Sequence, residues 1–230
     1  MLNNNQHLSN DIQHMLNENQ QSLNISQNRE GFEKINETIA QKNLKLFNNY
    51  GTLFRKSTLM LIITLGRNYI TKFHVRDLSR SLNYDASLIS KNLKNLEKLG
   101  LVKREDVGNL VFYQADINNA LLKHMKICFT LLELNELIQE IRSDSNVSIL
   151  YGSCSKGEDT SESDVDLFIE TLEKERIKKT INLFQKKMNR KISPLIVTPD
   201  EAYQLKANDE YLYSNIFEGI VLHEGKQVFY

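Results

Sequence analysis

The sequence predicts a multidomain α+β protein: a mainly helical module closed by a β-hairpin, followed by a small α/β domain built on a mixed sheet. Three observations predict it. Between residues 53 and 99 apolar side chains recur at helical spacing, and two short β-runs then flank Val107-Gly108-Asn109. From Val147 onward, apolar runs of strand length alternate with helical segments. The charge also separates. Residues 72–104 hold eight Lys/Arg against three acids, and residues 144–170 hold seven acids against Lys156 alone, so zero net charge hides a basic module beside an acidic one.

Residues 1–50 are rich in Asn and Gln, a composition that buries too little apolar surface to offset the entropy of ordering. Disorder is expected there, with a weak helix over 28–47 presenting Phe32, Ile35, Ile39 and Leu44. A buried helix follows over 53–65, ended by Gly66. A short helix over 71–82 turns Val75, Leu78 and Leu82 inward, and Asn83-Tyr84-Asp85 makes a turn. The helix over 86–99 has its core stripe at Ile89, Leu93 and Leu96, with Gly100 as its cap. Residues 101–104 and 110–113 form the hairpin.

Residues 116–142 form a long helix with Ile117, Leu121, Met125, Cys128 and Leu132 on one side, widened by Leu131, Leu134, Leu137, Ile138 and Ile141. That surface either pairs two subunits or packs on the domain that follows. Strands at 147–151 and 164–169, a lysine-rich helix at 173–188 and a strand at 191–198 come next. Pro194 confines this last strand to a sheet edge. Thr198 caps a helix whose first residue is Pro199 and whose first turn is acidic. A helix over 209–217 and strands at 219–223 and 228–230 complete the reading.

With 40% hydrophobic residues and no run of about 18 apolar residues, no membrane span is expected. The polar N-terminus lacks a basic-then-apolar leader. Cys128 and Cys154 form neither a metal spacing nor a disulfide framework, so a reducing cytoplasm is the expected setting. Cys154 reads as a variable loop residue.

The chemistry concentrates in Val147–Glu170, VSILYGSCSKGEDTSESDVDLFIE. An apolar strand ends at Gly152-Ser153, and ten residues later Asp164 and Asp166 open another. Residues two apart on a strand share a face, so the two carboxylates project together and repel. A cation between them relieves that cost. Mg²⁺ suits such oxygen ligands, taking one or two carboxylates plus substrate phosphates. Gly152 permits close backbone approach and the amides after it an anion-binding nest, Ser153 adds a hydroxyl, and Lys156 offers a point charge to phosphate.

This compound pattern of Leu150-Tyr151-Gly152-Ser153, Lys156-Gly157 and Ser163-Asp164-Val165-Asp166-Leu167 resembles the nucleotidyltransferase superfamily that includes DNA polymerase beta, and above all its minimal nucleotidyltransferase branch. The resemblance implies that Asp164 and Asp166 are catalytic and hold Mg²⁺, and that Gly152, Ser153, Lys156 and Ser163 bind a nucleoside triphosphate. It also implies a third carboxylate on the next strand. Residues 191–197 contain none, and Ser193 or Leu195 stands in its place. Asp200 and Glu201 are the acids that could substitute.

Three helices and a hairpin, with SLISKNLKNLEKLGLV over 87–102, resemble the winged helix-turn-helix of MarR- and ArsR-like regulators. In that geometry Ser87, Leu88, Ser90, Lys91 and Lys94 face the major groove of double-stranded DNA. Leu88 would touch a thymine methyl or lie in a protein interface, and Ser90 and Lys91 touch bases or phosphates. Lys94, Lys98, Lys103 and Arg104 mostly neutralise phosphate. The expected organisation is an Asn/Gln-rich segment (1–50), a winged helix (51–116), a connecting helix (117–143) that can join a homodimer, and a nucleotidyltransferase-like domain (144–230). The expected function is transfer of a nucleoside monophosphate from a nucleoside triphosphate by a DNA-binding protein. Two alternatives stand beside it: a DNA-binding regulator that only senses nucleotide, and an antitoxin-like interaction partner.

Overall fold

The computed structural model describes residues 38–45 and 50–225. The chain divides into two compact units, Met1–Arg55 and Lys56–Tyr230. In the first, residues 38–45 are helical with Ile39 and Leu44 exposed, and Gly51–Phe54 is a 3₁₀ turn. The remainder of the expected 28–47 helix, and the expected strand at 228–230, lie outside the described residues.

The second unit opens with α1 (Lys56–Arg67), β1 (Phe73–His74), α2 (Val75–Leu82), α3 (Ala86–Lys98), β2 (Val102–Val107) and β3 (Leu110–Ala115). It continues with α4 (Ala120–Ile141), β4 (Val147–Tyr151), α5 (Gly152–Lys156), β5 (Val165–Glu170), α6 (Lys174–Gln185), β6 (Ile192–Val197), α7 (Pro199–Asn208), α8 (Glu210–Phe217) and β7 (Ile220–Glu224).

The first six elements form a winged helix. Leu61, Ile62, Leu65, Leu78, Ile89, Leu93 and Leu96 are its buried core, and each lies where the helical spacing puts it. Asn83 ends α2 in the left-handed region, which its short polar side chain tolerates. The wing is an antiparallel sheet in the order β1-β3-β2. The helix expected over 71–82 begins later than its sequence pattern, because Phe73 and His74 pair with Tyr113 and Phe112 as an edge strand. Gly66 does not end the first helix. It is buried inside α1, where a Cβ would approach Leu122 Cδ1 and the Lys126 stem at 3.3 Å, so it serves the α1–α4 contact.

In α4 the expected apolar stripe is the exposed one. Leu121 and Leu132 are 45% and 67% exposed and Cys128 faces solvent, whereas Leu122, Lys126, Thr130, Leu134, Leu137, Ile138 and Ile141 are buried. The helix carries two apolar stripes, and Lys126 and Thr130, paired inside the protein, disguise the buried one. The helix starts at Ala120, capped by the Asn119 side chain, rather than at Asp116.

The last sheet has the order β6-β5-β4-β7. β4 is antiparallel to β5 and β7, and β5 is parallel to β6, so the sheet is mixed. Alternate residues go to opposite faces. Leu150, Val165, Leu167, Ile169 and Ile192 pack with the C-terminal half of α4 and with α6. Ile149, Phe168 and Val197 pack with α7 and α8. β6 is an edge strand, as Pro194 requires. Thr198 and Glu201 form a capping box at the start of α7.

Candidate functional site

The chain leaves β4 at Tyr151 and turns through Gly152, whose φ of 70° favours glycine, into α5. Register sets Asp166 beside Tyr151 on one side and Ser193 on the other, and Asp164 lies one residue before β5. A Cβ on Gly152 would stand 2.5 Å from Asp166 Oδ2. The missing side chain is therefore what lets this carboxylate lie against the turn. Burial, then the negative charge of Asp164, push the Asp166 carboxyl above the ordinary carboxylate range, and Lys191 opposes them. Lys191 Nζ donates to Asp164 Oδ2 at 2.9 Å. Burial and the Asp166 charge also raise the Tyr151 phenol.

The other expected site residues take varied places. Ser153 lies half-buried in the first turn of α5. Lys156 ends α5 and reaches Glu218 at 3.7 Å. Ser163 shapes the loop before Asp164, its Oγ accepting from the Thr160 N–H at 2.9 Å. Cys154 is no variable loop residue. It is fully buried, its thiol donates to the Asp164 carbonyl at 3.3 Å, and burial raises its pKa to about 11.

The position for a third carboxylate is Ser193, the residue registered with Asp166, while Leu195 packs in the apolar layer with Phe168. Asp200 and Glu201 cannot substitute. β6 runs parallel to β5, so they follow its far end, beyond Val197, and the four residues from Ser193 to Val197 alone span about 13 Å. Glu201 is also committed to the cap of α7 and to Lys174. Among the described residues no three or more His, Cys, Asp or Glu side chains form a group that could hold a metal ion.

On the winged helix, Ser87, Lys91, Lys94 and Lys98 are exposed along α3, and Leu88 and Ser90 are half-buried. Lys91, Lys94 and Lys98 make no ion pair among the described residues. The wing is different. Lys103 pairs with Asp116 at 3.1 Å, Arg104 with Asp106 at 2.8 Å, and Lys72 with Glu105. Of the basic residues expected to meet DNA, those without an acidic partner are thus on α3.

Residues 132–223 match the family described as nucleotidyltransferase domain. The match spans the second half of α4 and the last sheet as far as His223. Elsewhere the chain is 40% identical over 53 residues to an uncharacterised HTH-type transcriptional regulator of Methanocaldococcus jannaschii, a match covering 23% of this chain and 13% of that protein's length. Among solved structures it is similar to HlyU from Vibrio cholerae (24% identity, 39% of this chain and 88% of that one, TM-score 0.29). It is also similar to the transcriptional repressor BigR from Xylella fastidiosa (21% identity, 44% and 96%, TM-score 0.32). The winged-helix fold is given by the element order and sheet topology of residues 56–115.

The donor set of the nucleotidyltransferase domain suits one divalent cation. Two carboxylates share a strand end, one is half-buried and raised by the charge of the other, and Gly152, lacking a Cβ, lets that carboxylate lie against the turn. Sequence reasoning missed Tyr151, Lys191 and the buried Arg190–Asp159 pair behind the site. Tyr151 was legible as the last residue of a strand entering the motif. The other partners were not, because the register of β6 against β5 leaves no trace in the sequence.

Proposed function

We propose that the protein is a DNA-binding nucleotidyltransferase, which moves a nucleoside monophosphate from a nucleoside triphosphate to an acceptor hydroxyl with Mg²⁺. The observation that carries this reading is the Asp166 carboxylate lying against Gly152 beside Asp164. Asp164 and Asp166 hold the cation. Gly152 and Ser153 cradle the phosphates, with Lys156 and Ser163 at the edge of the same turn. Mg²⁺, when bound, neutralises the phosphates and lowers the pKa of the attacking hydroxyl. Ser87, Ser90, Lys91, Lys94 and Lys98 meet double-stranded DNA, with Lys103 and Arg104 in minor roles because acids already pair them. The proposed divisions of the chain are an Asn/Gln-rich segment 1–50, a winged helix 51–116, a connecting helix 117–143 and a nucleotidyltransferase-like domain 144–230, and a reducing cytoplasm suits the two free thiols.

One observation favours a second reading. With Ser193 beside Asp166, the nucleotide can be held while transfer is slow, and the domain then senses nucleotide for a DNA-binding regulator. The two are separated by offering radiolabelled nucleoside triphosphates with Mg²⁺, using the protein itself and total RNA as acceptors. Label that vanishes in the Asp164→Asn/Asp166→Asn double variant establishes transfer. Binding without label supports sensing, and Ser193→Asp is then expected to gain label. Absence of both binding and label removes both readings.

The stripe of exposed Leu121, Cys128 and Leu132 with half-buried Met125 is proposed as the homodimer face. Light scattering is expected to give dimer mass for the wild type and monomer mass for Leu132→Glu. A wild-type monomer rejects the face.

A further inference from the structure

Every segment that frames the nucleotide site is tied to one buried cluster, and one member of that cluster belongs to the winged helix. Asp159, fully buried, lies in the loop between α5 and Asp164. Arg190 Nη1 donates to its Oδ2 at 2.7 Å, and Lys126 Nζ donates to its carbonyl at 2.6 Å. Arg190 also donates to Glu133 at 2.8 Å, to Thr130 at 3.0 Å and to the Cys154 sulfur at 3.4 Å. Arg190 immediately precedes Lys191, whose side chain holds Asp164 and whose carbonyl accepts from the Val165 N–H at 2.8 Å.

Into this cluster reaches Arg67, the last residue of α1. It forks onto both oxygens of Glu133 at 2.7 and 2.9 Å, and its Nε lies 3.6 Å from Asp159 Oδ2. Its carbonyl accepts from the Ser161 N–H at 2.9 Å, and the Ser161 hydroxyl donates to Asn68 Oδ1 at 3.0 Å. Ser161 is three residues from Asp164. The opposite end of α1 meets the DNA-facing helix: Asn92 of α3 donates to Ser57 of α1 at 3.0 Å, in the core. A helix of this length is stiff, so displacement at one end is delivered to the other.

We propose that α1 couples the two sites, so that DNA on α3 changes the affinity for Mg²⁺-nucleotide and nucleotide changes the affinity for DNA, through the joint of Arg67 and Asn68 with Asp159 and Ser161. This rests on the reading of both sites given above. Thermodynamic linkage makes the factor equal in both directions.

The test uses the full chain, a short mixed-sequence duplex at low salt, and Mg²⁺ with a non-hydrolysable ATP analogue. In the wild type, saturating either ligand is expected to change the dissociation constant of the other by the same factor, about five-fold or more. The Arg67→Gln/Ser161→Ala variant is expected to bind each ligand singly as the wild type does, with the factor reduced to about one. Should Arg67→Gln impair folding, Ser161→Ala and Asn68→Ala, both at an exposed hydrogen bond, take its place. A wild-type factor of one, or a factor that survives in the variants, overturns the proposal. Hydrogen exchange of the amides of 158–164 gives a readout that needs no ligand. It is expected to quicken in the variants while α3 stays protected, and unchanged exchange overturns the joint. Failure of the wild type to bind either ligand would instead overturn the site readings, and exchange alone would then decide the joint.

Discussion

Ionising Asp166 in the folded chain carries a cost. Its carboxyl is raised by burial and by Asp164, so the folded state favours the neutral form. A raised folded pKa contributes stability below the unfolded value, and that contribution is lost as pH rises through the folded value. At neutral pH and without a divalent ion, Asp166→Asn is therefore expected to melt at a higher temperature than the wild type. Added Mg²⁺ should raise the melting temperature of the wild type and leave that of the variant unmoved. A variant that melts lower would contradict the origin assigned to the shift. Gly152→Ala should act oppositely. Its positive φ costs an L-residue about 1–2 kcal/mol, and its methyl meets Asp166 Oδ2, so both melting temperature and Mg²⁺ response are expected to fall. At this scale the closeness of Gly152 and Asp166 was legible, since both lie within one stretch of sequence. Lys191 and Arg190 were not: their partners Asp164 and Asp159 are 27 and 31 residues away, and only the folded register joins them.

At the scale of elements, α3 and α4 teach opposite lessons. The stripe of Ile89, Leu93 and Leu96 was read correctly because the opposite face of α3 is polar, so one orientation alone buries the apolar side. In α4 both orientations bury apolar residues. The deciding contacts are the Gly66–Lys126 approach and the Thr130–Arg190 hydrogen bond, which come from other elements. The wing shows a similar limit. The sequence reading gave Lys103 and Arg104 the same phosphate role as Lys94 and Lys98, but Asp116 and Asp106 already neutralise the first two. Lys91→Ala and Lys94→Ala are thus each expected to reduce the slope of log affinity for DNA against log salt by about one. Lys103→Ala and Arg104→Ala should reduce it less. Equal slopes across all four would show that the wing pairs open on binding.

At the scale of the molecule, the two halves share a helix. Gly66 of the winged helix packs on the N-terminal half of α4, and Leu134, Leu137, Ile138 and Ile141 of its C-terminal half lie in the core of the nucleotidyltransferase domain. Burial of such side chains stabilises by about 1.5–3 kcal/mol each, and four of them together approach the whole net stability of a domain, about 5–15 kcal/mol. A fragment of residues 144–225 is therefore expected to show no dispersed amide spectrum, while one of residues 118–225 should fold. Folding of the shorter piece would show that α4 is dispensable to that core. The border between the halves falls inside α4, whose single buried face serves the winged helix in its first half and the last sheet in its second. Neither half can be grafted to another protein by cutting and rejoining. The helix would have to be copied into both recipients, each burying the half that the other leaves bare.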